Sequence, residues 1–400
     1  MIGNIFGTSH KNSLAERCSS DDITKLRLKY QPYYHHFDRQ EGSHVWLDGK
    51  ELVLLSNNDY LGFSHHPKVI EAGQQALKDW GSSSTGSRIA NGSRSYHRKL
   101  EEKLAAFLGK EDCHIHAAGY LSCMSAIQSF AQRGDTIYVD KNVHSCLWTG
   151  IATTLADVEK FSHNKPSSFA DALSYHSGEQ AKMLVFEGVY SMEGHIAPAK
   201  ELLEIAAAND CFSVLDDAHG FGVLGRQGRG TADHLNLTDQ VDIICGSLSK
   251  AMASTGGFVA GDKALIEYLR SHSKQTIFSA AVSPSQAYCA EAALDLMQSE
   301  PEHLERMWSS TQKYKTMLSE LGFDTWDSET PAVPIVIGEK RAAYEIWKML
   351  IKEGVFTTVS LPPAVPPKKD LIRTAITAGH SDADLDTIAT AFSKVAKKFL

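Results

Sequence analysis

Between Asp112 and Gly261 short apolar runs alternate with stretches long enough for helices, and this repeat limits the fold more than any other feature. The runs are Thr136 to Val139, Met183 to Phe186, Phe212 to Leu215, Val241 to Cys245 and Phe258 to Ala260. Strands that are apolar throughout must be covered on both faces, so the pattern predicts an α/β fold built on a mostly parallel sheet between helices. Such sheets place their ligands at the carboxyl ends of the strands. Here the residues closing the runs are Glu187, Asp216 and Ser247, with Lys250 just past the last.

Two of these ends carry chemistry. Lys250 closes Val241-Asp242-Ile243-Ile244-Cys245-Gly246-Ser247-Leu248-Ser249-Lys250, before Gly256-Gly257-Phe258 opens the next apolar run. Alone, it reads as a surface cation in a loop of small residues. Asp216, in Val214-Leu215-Asp216-Asp217-Ala218-His219-Gly220, reverses that weighing. An amine able to form a Schiff base and a carboxylate able to face a pyridinium nitrogen are the pair that pyridoxal phosphate requires.

The rest of the chain is consistent with an ordinary globular enzyme. Its 400 residues suffice for a large unit and a smaller one, each with a core. A net charge of −8 without blocks of lysine or arginine gives no reason to expect nucleic acid or an anionic membrane surface. The seven cysteines are scattered and never spaced C-x-x-C, so neither a disulfide framework nor a zinc site is indicated. No apolar run approaches a membrane span, and Met1 to Phe6 shows no leader pattern, so the expected compartment is the cytoplasm.

Boundaries are expected at an N-terminal arm (1–44), a large unit (45–284) and a smaller α/β C-terminal unit (285–400). Val45 to Leu55 reads as a hairpin turning on Asp48-Gly49. Pro67 and Gly81 bracket one helix, Ser95 is expected to cap a second, and Leu121 to Phe130 should form a third. Past Pro284 the pattern predicts a long helical stretch to about Leu321. Strands follow at Ala332 to Ile337, Val355 to Val359 and Leu371 to Thr377, and a final helix runs from Asp382 to Phe399.

At this resolution of detail the chain resembles a known family, the α-oxoamine synthases among the fold-type I pyridoxal-phosphate enzymes. The resemblance is carried by Ser56-Asn57-Asn58-Asp59-Tyr60-Leu61-Gly62, Ala118-Gly119-Tyr120, Glu187 to Met192, Asp216 to His219, Gly225 to Gly230, Ser247 to Lys250 and Ile277-Phe278-Ser279. It implies pyridoxal 5'-phosphate as cofactor and assigns roles residue by residue. Gly119 and Tyr120 open a helix at the cofactor phosphate, joined by Ser247 and Ser249. Ser279 matches the position that reaches a neighbouring subunit's phosphate, which implies a homodimer. His144 matches the histidine stacked on the pyridine ring and a candidate for polarising the thioester oxygen. Asp216 faces the ring nitrogen, and His219 and Ser191 take the edge with the phenolic oxygen. Asp217 is expected to be structural. Arg373 and Asn58 match the grip on the amino-acid carboxylate.

The implied reaction is decarboxylative condensation of serine, alanine or glycine with an acyl thioester, borne by coenzyme A or a carrier protein. Gly86 to Gly92 and Phe186 to Met192 look most like bacterial serine palmitoyltransferases, whereas Asp216 to Gly220 looks more like 8-amino-7-oxononanoate synthases. Leu361 and Ala364 stand where polar residues are frequent in these groups, which favours an apolar acyl chain. Alternatives are an oxononanoate synthase, a glycine acetyltransferase, an autoinducer-type synthase, an aminotransferase, or a silent partner subunit; the presence of Lys250 argues against the last.

Overall fold

The computed structural model describes residues 13–175 and 180–400. Its strands are β1 (Arg39–Glu41), β2 (His44–Leu47), β3 (Lys50–Leu54), β4 (Asp112–His116), β5 (Thr136–Asp140), β6 (Asp157–Phe161) and β7 (Lys182–Glu187). Then come β8 (Cys211–Asp216), β9 (Ile243–Ser247), β10 (Gly257–Gly261), β11 (Ala332–Val336), β12 (Val355–Phe356), β13 (Thr358–Ser360) and β14 (Leu371–Ala375). A seven-stranded sheet has the order β4-β10-β9-β8-β7-β5-β6. Only β10 runs against its neighbours, so the other six strands end along one edge. The parallel sheet expected from the alternation is present, wider by two strands.

Both unexpected strands disguise themselves with polar residues. β4 reads Asp-Cys-His-Ile-His, yet all five residues are buried. Its charges are matched inside the protein. Asp112 pairs with Arg98 at 2.7 Å and Arg270 at 2.6 Å, and His114 lies 3.1 Å from Glu101, itself clasped by Arg88 at 2.7 Å. β6 is a sheet edge, and exposed polar side chains suit a strand with only one neighbour.

Local signals place the helices well. Pro67 is the first residue of the Pro67–Trp80 helix, whose end is Gly81 at φ +73°, and Asp21 caps the Asp22–Tyr30 helix. Ser95 is not a cap. It is the first residue inside the Ser95–Leu108 helix, and the cap position belongs to Arg94, whose N–H donates to His97 Nδ1 at 3.0 Å. The third expected helix starts two residues early, at Gly119, and runs to Gln128. The long C-terminal helical stretch is two helices, Pro284–Ser299 and Glu302–Glu320.

Two elements pack across the expected unit boundaries. The β2–β3 hairpin joins β12 of the C-terminal part, and Val53 and Leu55 enter the core formed by Val333, Ile372 and Phe392. Conversely, Ala287, Leu294 and Met297 of the Pro284–Ser299 helix belong to the core of the large sheet. None of the described helices is long and apolar enough to cross a membrane.

Candidate active site

Five parallel strands deliver site residues to one edge. Gly119 follows β4, His144 follows β5, Ser191 follows β7, Asp216 and His219 close β8, and Ser247, Ser249 and Lys250 close β9. Gly119 must be glycine because the Gly119–Gln128 helix starts directly against β9. A Cβ there would lie 2.6 Å from Ser247 Oγ and 2.7 Å from its Cβ. The same closeness sets the Ser247 hydroxyl beside a first helical turn, where N–H groups lack intrahelical partners. Ser249 Oγ is 2.7 Å from Ser247 Oγ. Amides, a helix N-terminus and two hydroxyls form a cradle for an anion such as a phosphate.

Beside the cradle lie the charged groups. Asp216 is buried, and its Oδ1 accepts from Ala218 N at 3.0 Å, while the thiols of Cys146, 3.7 Å from Oδ2, and Cys123 lie beside the carboxylate. Burial pushes its carboxyl well above the usual range, and the Lys250 cation pulls it back. The reverse holds for Lys250: burial lowers its pKa, and Asp216 opposes the shift. A buried carboxylate this poorly matched is suited to a ring N–H, and a lysine of lowered pKa to bonding through its nitrogen. With the anion cradle, these residues fit pyridoxal phosphate.

The remaining expected residues surround this pair. His219 is buried and neutral, burial holding its pKa far down, and its Nδ1 meets the Tyr60 hydroxyl at 2.8 Å. His144 both caps a helix and faces the cleft. Its Nδ1 accepts from Cys146 N at 3.2 Å, and its own N–H donates to Glu187 Oε1 at 2.5 Å. Tyr120 approaches it edge-on and bonds the Thr149 hydroxyl at 2.5 Å. Arg373 and Asn58 are brought together, Nη2 to Oδ1 at 2.9 Å, while Arg373 Nε donates to the Ser191 carbonyl at 3.2 Å. Asp217 accepts from the Thr231 amide and hydroxyl at 2.8 and 2.6 Å, a structural clamp as expected.

Ser279, expected to serve a neighbouring subunit's site, stands between Phe278, which is 82% exposed, and an antiparallel bridge of Ala280 to Ser87. One expectation needs adjustment. Leu361 packs against the C-terminal core rather than lining the cleft; Ala364 does line it. That cavity, about 620 Å³, runs from His144, Ser191 and Trp148 to the proline-rich wall Pro362–Pro367. It also contains a cation, Lys141.

Three contributors escaped the sequence. Tyr60 stands inside a recognised segment without an assigned role, and Cys146 and Trp148 belong to no motif. Only their contacts reveal them.

Comparison with known proteins bears directly on this arrangement. The aminotransferase class I and II model matches residues 50–392. A serine palmitoyltransferase of Sphingobacterium spiritivorum is 38% identical over 392 residues, 97% of each chain. The chain belongs to the aminotransferase class I and II family, in its α-oxoamine synthase branch. An 8-amino-7-oxononanoate synthase of Bacillus subtilis is 35% identical over 97% of this chain and 96% of its own. Among solved structures, a Sphingomonas wittichii serine palmitoyltransferase superposes with a TM-score of 0.92 at 28% identity, covering 96% of this chain and 98% of that one. Another, described as SPT with a PLP internal aldimine, gives 0.93 at 28% identity over 97% and 99%.

Proposed function

We propose that this chain uses pyridoxal 5'-phosphate to condense a small amino acid (serine, alanine or glycine) with an acyl thioester, releasing carbon dioxide and thiol. The observation that carries the reading is the meeting of Lys250, Asp216 and the Arg373–Asn58 pair at one sheet edge, beside an apolar-walled cavity. When bound, the cofactor supplies an electron-withdrawing ring that stabilises negative charge at the amino acid's Cα.

The chain's own residues do the rest. Ser247, Ser249 and the first amides of the Gly119–Gln128 helix hold the phosphate, with Tyr120 beside them. Asp216 would keep the ring nitrogen's proton in place, and His219, pinned by Tyr60 through Nδ1, would offer Nε2 to the phenolic oxygen, with Ser191 to help on that edge. Arg373 and Asn58 grip the substrate carboxylate. Lys250, its basicity lowered by burial, takes the Cα proton at Nζ. His144, which lines the cavity, would help hold the ring and donate from Nε2 to the thioester oxygen, stabilising the charge that grows there. The acyl chain follows the Trp148–Ala364 cavity, where each buried methylene contributes about 0.8 kcal/mol.

An apolar wall supports a medium or long unbranched acyl chain, as in serine palmitoyltransferase. Lys141 is the specific feature favouring the second reading, a donor with a distal carboxylate as in 8-amino-7-oxononanoate synthase. The test is catalytic efficiency, read as thiol and carbon dioxide release, across acetyl, pimeloyl and straight-chain thioesters with each amino acid. Long-chain donors leading supports the first reading; a pimeloyl lead replaces it with the second, and no release with any donor rejects both. The working unit is a homodimer with shared sites, supported by Ser279 beside the exposed Phe278. Mixing inactive Lys250→Ala with inactive Ser279→Trp protein should restore activity in hybrids, and a fully active monomer would refute it.

A further inference from the structure

Beneath the two groups assigned to the ring lies a residue that touches both. Cys146 is 2% exposed, and its Sγ lies 2.9 Å from His144 Nδ1 and 3.7 Å from Asp216 Oδ2. Its backbone N–H also points at His144 Nδ1, at 3.2 Å. An amide N–H can only donate, so that ring nitrogen must present its lone pair. A proton on Nδ1 would oppose the amide and leave the thiol without its nearest acceptor. With Nδ1 bare, the neutral ring carries its hydrogen on Nε2, the nitrogen turned away from Cys146.

We infer that Cys146 is a positioning residue that fixes the His144 tautomer, keeping the ring proton on Nε2 for donation to the acyl thioester. The inference rests on the proposed condensation and adds to it the origin of the donor. Burial and the Lys250 cation keep the His144 ring uncharged. The titratable groups around it are Cys146 and Cys123 beneath, Lys250 and Asp216 from the strand ends, Glu187 at its amide and Tyr120 at its edge. Removing the thiol removes one of two donors to Nδ1, so protonation of His144 becomes easier and acyl transfer loses a preset donor.

Holoenzyme labelled with ¹⁵N-histidine provides the decisive readout, with His144→Gln identifying the signals. At pH 7 the wild type should show a protonated Nε2 and a bare Nδ1. Cys146→Ala should move the His144 titration upward and lower kcat about 5-fold, as expected for one neutral hydrogen bond, with amino-acid affinity unchanged. Cys146→Ser, which keeps a donor, should restore both. A proton on Nδ1 in the wild type, or a Cys146→Ala protein with unaltered titration and kcat, overturns the inference. Failure of every donor to turn over would reject the condensation, while the ring-nitrogen spectrum would still decide the tautomer.

Discussion

Asp216 shows how one side chain is prepared by its surroundings. Its strand puts it in the interior, where a lone carboxylate is costly, and the structure gives it one amide and the weak donors of two neighbouring thiols, Cys146 and Cys123. That under-supply makes it a strong partner for a protonated ring nitrogen. Asp216→Asn keeps the shape without the charge. It should retain cofactor while slowing exchange of the amino acid's α-proton about 10²–10³-fold, measured by deuterium loss. Tyr60 offers a finer test. Its hydroxyl holds His219 Nδ1 at 2.8 Å and lies within reach of Arg373. Tyr60→Phe should lower kcat about 5-fold and shift the bound cofactor's absorbance, with the fold intact.

Elements matter here through how closely they approach. The cradle exists because the helix from Gly119 abuts β9, and only a residue without Cβ permits it. Gly119→Ala should push the helix start away from Ser247. Overpacking of this kind costs about 1–3 kcal/mol, and cofactor affinity should fall further, since cradle geometry is lost with it. Fluorescence titration with cofactor and a thermal melt separate the two effects. The same scale explains the strands the sequence concealed. β4 keeps Asp112 and His114 buried because Arg98, Arg270, Arg88 and Glu101 arrive from other helices and loops. Its polar letters gave no sign of those partners.

For the molecule as a whole, buried neutral histidines set the acid limit. His97 is fully buried, bonded through Nε2 to the Val282 carbonyl, and burial lowers its pKa from 6.5 to about 4. His116, His219 and His380 are shifted the same way by burial. Between pH 6.5 and about 4 the unfolded chain binds protons the native state refuses, so stability is complete above that window and falls as pH drops through it. His97 alone accounts for roughly 3 kcal/mol, an upper figure. Melting temperature against pH should therefore decline steeply below 6.5, and His97→Asn should flatten part of the slope while lowering the plateau.

Periodicity alone determined the parallel sheet and the edge on which ligands sit, because strands buried on both faces cannot hide their apolar runs. Glycine and proline punctuation likewise placed the helix from Pro67 and the Asp48-Gly49 hairpin, both local events. Lys250 and Asp216 were legible as a pair because each closes such a run. What Arg373 grips, where Leu361 points and which core claims the hairpin were decided by residues hundreds of positions apart. Asn58 meets Arg373 across 315 residues, and Tyr60 meets His219 across 159. A strand pattern records burial of its own side chains, whereas a hydrogen bond needs two partners, and the second is supplied only when the chain closes on itself.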